Sequence, residues 1–213
     1  MSDLTLVIGT KNYSSWSLRP WLALKVAGIP FKEVLIRLRQ PDTREQILKH
    51  SPAGKVPILK DGDFLVWESL AILEYLADRF PGANLWPSDL KARAIARAVS
   101  SEMHAGFAPV RQQLPMDIRS TFPLKADEAA KGDIARVLEI WNDCRKHFGA
   151  GGKFLFGPFT AADAMFAPVV TRFRTYGVPL DSVTKAYSEA VLSLPAMLEW
   201  EKAAKAESDV LTY

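Results

Sequence analysis

The feature that most constrains this 213-residue chain is a change of period near residue 80. Before it, short apolar runs alternate with helical patterns. "LTLVI" (4–8) and "FKEVLIRL" (31–38) read as strands, and the segment 16–28 between them as a helix stopped by Gly28 and Pro30. "DTREQILKH" (42–50) predicts a short helix, and "SPAGKVPIL" leads into a third strand. "LKDGDFLVW" then places two short strands about an Asp61–Gly62 turn, and "ESLAILEYLADRF" (68–80) predicts a helix. After "FPGANLWPSDL" the pattern is helical almost throughout, over 88–115, 125–148, 160–175, 183–193 and 195–206. A strand–helix–strand unit needs a parallel crossover, and the last two strands form a hairpin. The expected fold is an α/β domain over 1–80, a linker over 81–87 and an all-α helical domain over 88–213.

Composition narrows the function classes. Hydrophobic residues make up 48% and charged residues 24%, as in ordinary globular proteins. A net charge of +3 is far from the concentrated basic face of a nucleic-acid binder. One cysteine, Cys144, excludes an intramolecular disulfide and points to a reducing, cytoplasmic compartment; it reads as a small core residue. The start "MSDLTLVIG" lacks the basic and long apolar regions of a signal peptide, and no run is long enough to cross a bilayer. Three scattered histidines and one cysteine suggest no metal site.

Three stretches carry candidate chemistry. In "NYSSWSLRPW" three serines surround Trp16 where a strand hands over to a helix. The plainer reading is a serine N-cap; the sharper is an anion held at the helix N-terminus by Ser14 or Ser15. Pro20 is expected in the first helical turn, where its missing donor costs nothing. In "GKVPIL", Val56-Pro57 opens a strand, so the proline marks an edge or a cis bond. If the bond is cis, the turn directs the Val56 N–H and C=O into a cleft. In "WESLAIL", Glu68 and Ser69 open a helix: ordinary helix-start chemistry, or a site for a carboxylate at Ser69 and an ammonium at Glu68.

"SSWSLRPWLAL", "KVPIL" and "ESLAILEYL", followed by an all-helical half, together resemble a cytosolic glutathione transferase across essentially the whole chain. The pattern is most similar to the zeta class and related bacterial serine-type enzymes. The resemblance implies a thioredoxin-like first domain that binds glutathione, with Pro57 in cis. Ser14 would stabilise the glutathione thiolate, Val56 would pair with the cysteinyl unit, and Glu68 and Ser69 would hold the γ-glutamyl end. Lys55, where the zeta class commonly has glutamine, would face the glycyl carboxylate; His50 is a second candidate for that end. Arg19 matches the family's arginine and reads as structural. Tyr13 is a rival for the thiol, and Ser15 and Ser17 read as cap residues. Lowering a thiol pKa from about 8.5 by roughly two units takes about 2.7 kcal/mol, within reach of a hydroxyl plus a helix N-terminus.

The helical half would supply the second-substrate pocket. Trp16, His104, Phe107, Arg111 and Arg172 are its candidates. His104 reads equally as an interdomain hydrogen bond, and Arg111 as a surface ion pair. Thr160 and Asp163 form a capping-box pattern with a structural role. The resemblance also allows a maleylacetoacetate-isomerase-like activity, but "TRFRTYG" displaces the arginine that receives that substrate's carboxylate, and Trp16 replaces the cysteine that commonly follows the two serines. A general glutathione transferase acting on a small electrophile is the expected function. A non-catalytic binding module is the remaining alternative. The family further implies a homodimer, for which Trp67 and the arginines of 92–97 are candidate contacts. Loop 112–125 and the C-terminal "ESDVLTY" are expected to border the cleft.

Overall fold

Strand β1 (Leu4–Gly9) is the centre of the first domain in a computed structural model that describes residues 3–210. Its side chains alternate between two apolar layers. Leu4, Leu6 and Ile8 enter the main core, while Val7 joins Ile36, Ile47 and Ile58 on the opposite face. Covering both faces is why the run is continuously apolar. The other elements are α1 (Ser15–Val26), β2 (Lys32–Ile36), α2 (Thr43–Leu48), β3 (Ile58–Asp61), β4 (Phe64–Trp67) and α3 (Ser69–Arg79). The sheet order is β2-β1-β3-β4, with β1 and β2 parallel and the remaining pairs antiparallel. The crossover and hairpin expected from the sequence are both present. The hairpin turn falls one residue later than expected, at Gly62 and Asp63, because Asp61 pairs with Phe64 and Gly62 takes the left-handed conformation at φ 59°.

A 3-10 turn at Pro81–Ala83 leads into six helices: α4 (Leu90–Ala105), α5 (Ala108–Gln113), α6 (Glu128–Phe148), α7 (Ala161–Tyr176), α8 (Ser182–Leu192) and α9 (Pro195–Ala206). The N-terminal unit is the thioredoxin-like mixed domain and the rest is all helical. The single helix expected over 88–115 is two. Pro109 cannot donate to residue 105 and its ring would clash there, so the chain breaks at Gly106 and Phe107, the latter at φ 58°. Helix α1 packs against α7, and Trp21 meets Trp200 of α9 edge-on at 4.9 Å. Trp141 of α6 is fully buried against Phe166, Phe173 and Tyr187. Cys144 is buried in this core, which pushes its thiol up to about 12 and leaves it an inert apolar group.

Two local expectations change. Helix α1 starts at Ser15, which puts Pro20 in the second turn and deprives the Trp16 carbonyl of its intrahelical donor. Ser14 occupies the N-cap position, yet its side chain accepts no cap hydrogen bond. Among the described residues no helix is long and apolar enough to cross a membrane. Of the C-terminal "ESDVLTY", residues 211–213 lie outside the described residues, as do Met1 and Ser2 of the N-terminal segment.

The capping box at α7 is complete, with Asp163 buried. Its Oδ2 accepts from the Thr160 N–H at 2.8 Å and from Thr160 Oγ1 at 3.0 Å, and its Oδ1 accepts from the Leu155 N–H at 3.0 Å. Burial pushes this carboxyl up to about 6, so at neutral pH it is mostly an ionised acceptor. Asp163→Ala would strand two N–H groups away from water, at a cost of about 2–4 kcal/mol. A urea titration should show the midpoint fall accordingly, with Asp163→Asn between the variant and wild type; an unchanged midpoint would mean the box does not hold the α7 start.

Candidate functional site

The β1–α1 turn, the Val56–Pro57 turn and the start of α3 meet around a cavity of about 240 Å³ lined by Trp16, Ala53, Lys55, Val56, Pro57, Trp67, Glu68 and Ser69. The first lends the Trp16 ring, and the other two contribute groups whose hydrogen-bonding capacity is left open. The Val56–Pro57 peptide is cis. Among the described residues the N–H and C=O of Val56 have no partner. Ser69 is completely buried, and its Oγ has no partner among the described residues. It opens α3, whose first-turn N–H groups have no intrahelical acceptor and carry the positive end of the helix dipole. Glu68, immediately before, takes φ 71° and ψ 124°, a conformation that costs a non-glycine residue about 1–3 kcal/mol. Strain of that size at the rim of a cavity full of open donors marks a place arranged for a ligand.

Ser14 is buried and lies outside the residues that line this cavity, two positions before Trp16. Its N–H donates to the Thr10 carbonyl at 2.9 Å and its Oγ donates to Ser17 Oγ at 2.7 Å. Ser17 Oγ in turn accepts from the Gly9 N–H at 3.0 Å. Ser17 is therefore a bridge from β1 to the serine turn rather than a cap. Ser14 has one proton to give, and Ser17 holds it in the absence of a better acceptor. Ser15 Oγ accepts from Arg172 Nη2 at 3.3 Å.

Trp16 forms the wall between the cavity and a group of cationic side chains. The Arg19 guanidinium lies 4.1 Å over its ring and that of Arg111 at 5.5 Å, while His104 meets its edge at 5.3 Å. Arg19 is fully buried; its Nε donates to the Met165 carbonyl at 3.2 Å, and Nη1 and Nη2 have no hydrogen-bond partner among the described residues. Burial first, then Arg172 and Arg111, pull its pKa well below the ordinary value. Sequence reasoning assigned Arg19 only a scaffolding role. The signal that places it here is its spacing, one turn beyond Ser15 and Trp16 on the same helix.

The other candidates divide. Arg111 donates to the Met103 and His104 carbonyls, both at 3.3 Å, so it caps the end of α4 rather than pairing on the surface. Arg172 donates from Nε to the Leu114 carbonyl at 2.8 Å. Phe107 is buried in the core at the α4–α5 break. His50 lines a separate groove bounded by β2 and α2 with Arg37 and Gln40. Loop 112–125 borders another groove, beside Tyr176. Arg97 pairs within the chain with Glu74 at 2.8 Å. His104 Nε2 lies 3.6 Å from Glu68 Oε2, too far for the interdomain hydrogen bond that was one expectation. Among the described residues no group of three or more histidine, cysteine or acidic side chains is placed to hold a metal.

Two family models match the chain: the glutathione S-transferase N-terminal domain over residues 13–79 and its C-terminal domain over 94–203. The chain is 34% identical to glutathione S-transferase Z2 of Arabidopsis thaliana over 197 residues, covering 87% of each. It is 28% identical to a maleylacetoacetate isomerase of Rattus norvegicus over 197 residues, covering 87% of this chain and 86% of the relative. A crystal structure of a glutathione transferase homologue from Burkholderia with bound glutathione superimposes with a TM-score of 0.73 at 22% identity, covering 96% of this chain and all of that one.

His104 gives the site a pH signature. Burial first and Arg19 second lower its pKa from 6.5, Glu68 pulls it back up, and Arg111 lowers it further. The folded protein therefore binds fewer protons than the unfolded chain just below pH 6.5. Stability rises with pH through that window and is lost on acidification. His50 shifts the same way, through burial and then Lys60 and Lys49. Between about pH 7 and pH 5.5 the histidines pull the melting temperature down while Asp163, raised to about 6, pulls it up, so the readout is a difference: His104→Gln should lose less stability on acidification than the wild type. An identical slope in the variant would remove His104 from the account.

Proposed function

Because the chain belongs to the glutathione S-transferase family, we propose that it binds glutathione in the cavity between the three turns and activates its thiol for attack on a small electrophile. The observation that carries this proposal is the completely buried Ser69 Oγ without a partner, at the head of α3 and beside the strained Glu68. A buried hydroxyl is left unsatisfied at a cost of about 1–3 kcal/mol, which a ligand carboxylate recovers. Ser69 and the α3 N–H groups receive the γ-glutamyl carboxylate, Glu68 its ammonium, and the Val56 N–H and C=O the cysteinyl unit. Lys55 at the rim faces the glycyl carboxylate. With the thiol lying toward α1, the Ser14 hydroxyl keeps its proton and turns its hydrogen bond from Ser17 Oγ to the sulfur. A thiolate is the stronger acceptor, and Ser17 keeps its bond from Gly9. The thiol proton has by then left to solvent, and the thiolate attacks the electrophile: a carbon–sulfur bond forms and, with chlorodinitrobenzene, the carbon–chlorine bond breaks and chloride departs.

Residues 1–80 carry glutathione in this scheme, 81–87 link, and 88–213 supply the second substrate. Trp16, with Arg111 and Arg172 behind it, sets what enters. That buried guanidinium group also favours a second reading, a maleylacetoacetate-isomerase-like reaction on an anionic substrate, which needs cations near the thiolate. The working compartment is cytoplasmic, with Cys144 kept as a thiol. The protein acts as a homodimer: Phe64, Trp67, Leu90 and Ile95 leave apolar side chains exposed on β4 and α4.

Calorimetry with glutathione and steady-state conjugation to a chlorodinitrobenzene separate binding from chemistry. Ser69→Ala should raise the dissociation constant for glutathione about tenfold or more, the worth of a bond to a charged group, without lowering the melting temperature. Ser14→Ala should keep binding but lose about 10–100-fold in kcat. Absence of glutathione binding in the wild type would overturn the proposal. Binding with no turnover would move the chain to the ligand-binding alternative.

A further inference from the structure

The chain end is built into the serine turn. Glu207, just past α9, places its carboxylate on the β1–α1 loop: Oε1 accepts the Lys11 N–H at 2.6 Å and Oε2 the Asn12 N–H at 2.9 Å. The partners lie 196 and 195 residues apart in sequence. Arg119 ties the same segment down, donating to the Glu207 and Asp209 carbonyls and, at 2.9 Å, to Tyr13 Oη. Tyr13 Oη donates to the Asp209 carbonyl at 3.3 Å, and the Asp209 carboxylate pairs with Arg37 beyond β2. Nothing in this clasp reaches the glutathione cavity. Its contacts with the turn fall on residues 11–13, next to Thr10, whose carbonyl holds the Ser14 N–H.

We infer that Glu207 is a positioning residue: by holding the Lys11 and Asn12 N–H groups with one carboxylate, it fixes the direction in which Ser14 presents its hydroxyl to the bound thiol. The inference rests on the Ser14 assignment of the proposed function. The two N–H···O bonds fall on two consecutive peptides, 10–11 through the Lys11 N–H and 11–12 through the Asn12 N–H, so one carboxylate fixes how each is turned relative to the other, which a single acceptor or a water would not do. Ser14 lies two residues beyond, and a hydroxyl displaced by an ångström from a thiolate loses most of its stabilising effect. A carboxylate is kept here although burial opposes its charged form and pushes its titration up from the ordinary value. The binding groups Val56, Glu68 and Ser69 lie on other elements and have no link to the clasp. Loss of Glu207 therefore separates thiol activation from glutathione affinity.

The test is the pH profile of kcat for glutathione conjugation, with KM for glutathione and the melting temperature, in wild type, Glu207→Ala, Glu207→Gln and Ser14→Ala. Glu207→Ala should raise the apparent pKa on kcat by about one unit, a roughly tenfold loss at neutral pH, with KM within about twofold. Glu207→Gln, which keeps one acceptor oxygen, should return part of the shift; it also carries the test if the alanine variant does not fold. An unmoved profile in the Glu207 variants, with Ser14→Ala shifted, overturns the positioning role alone, even if the melting temperature falls. So does a KM that rises in step with the loss of kcat. An unmoved profile in Ser14→Ala overturns the Ser14 assignment and the inference with it.

Discussion

Helix α1 is buried along nearly its whole length, from Ser15 to Leu24 with only Trp16 partly open, so the polar groups of the turn that precedes it find their partners inside the protein. The sheet lies on one side of it and α7 and α9 on the other, so the turn that delivers it cannot be solvated like an ordinary loop. The Asn12 side chain is used at both ends, by Asp117 at 2.8 Å and by the Arg119 N–H at 3.0 Å. Trp200 donates to the Lys11 carbonyl at 3.0 Å, and Glu207 takes the two N–H groups that remain. The serine turn is thus held by the helical domain as much as by the sheet that precedes it. Rigid support from distant segments is what a hydroxyl needs if it is to meet a sulfur at hydrogen-bond distance.

Against that satisfied background, the unsatisfied groups stand out. Ser100 Oγ and Trp141 Nε1 lie elsewhere, but Ser69 Oγ and the Val56 peptide groups face one cavity, and the outer nitrogens of Arg19 lie behind its Trp16 wall. Together they present donors to carboxylates and a peptide, held on helix and strand starts rather than on loop tips. The electrostatics agree in sign. The α3 N-terminus, Lys55, Arg19, Arg111 and Arg172 are all positive, and Glu68 is the one acidic side chain lining the cavity. A zwitterionic end at Glu68–Ser69 and negative charge elsewhere is the ligand such a distribution favours.

Much of the fold was legible in the sequence because its signals are local. Period, proline and glycine placement gave the element order, and the Thr160–Asp163 spacing gave the capping box that the structure completes. Where local rules compete with packing, the reading slipped. Pro20 suits a first turn by propensity, but α1 is held on all sides and tolerates it one turn later. Gly106 and Pro109 end α4 early, although the apolar pattern runs through them. The candidate binding residues Lys55, Val56, Glu68 and Ser69 come together in one cavity, whereas His50 faces another groove. Arg19 in the cation group shows locally only its spacing from Ser15 and Trp16, and Glu207 on the serine turn shows no local signal. Both depend on contacts across 146 or more residues, which no window of sequence contains.

The most direct measurement is an ultraviolet titration of the thiolate of glutathione bound to the wild-type protein, following its absorbance from pH 5 to pH 9. A hydroxyl and a helix N-terminus acting together predict an apparent pKa near 6.5, about two units below that of a free thiol. A bound thiol that ionises at about 8.5, as in solution, would contradict the account.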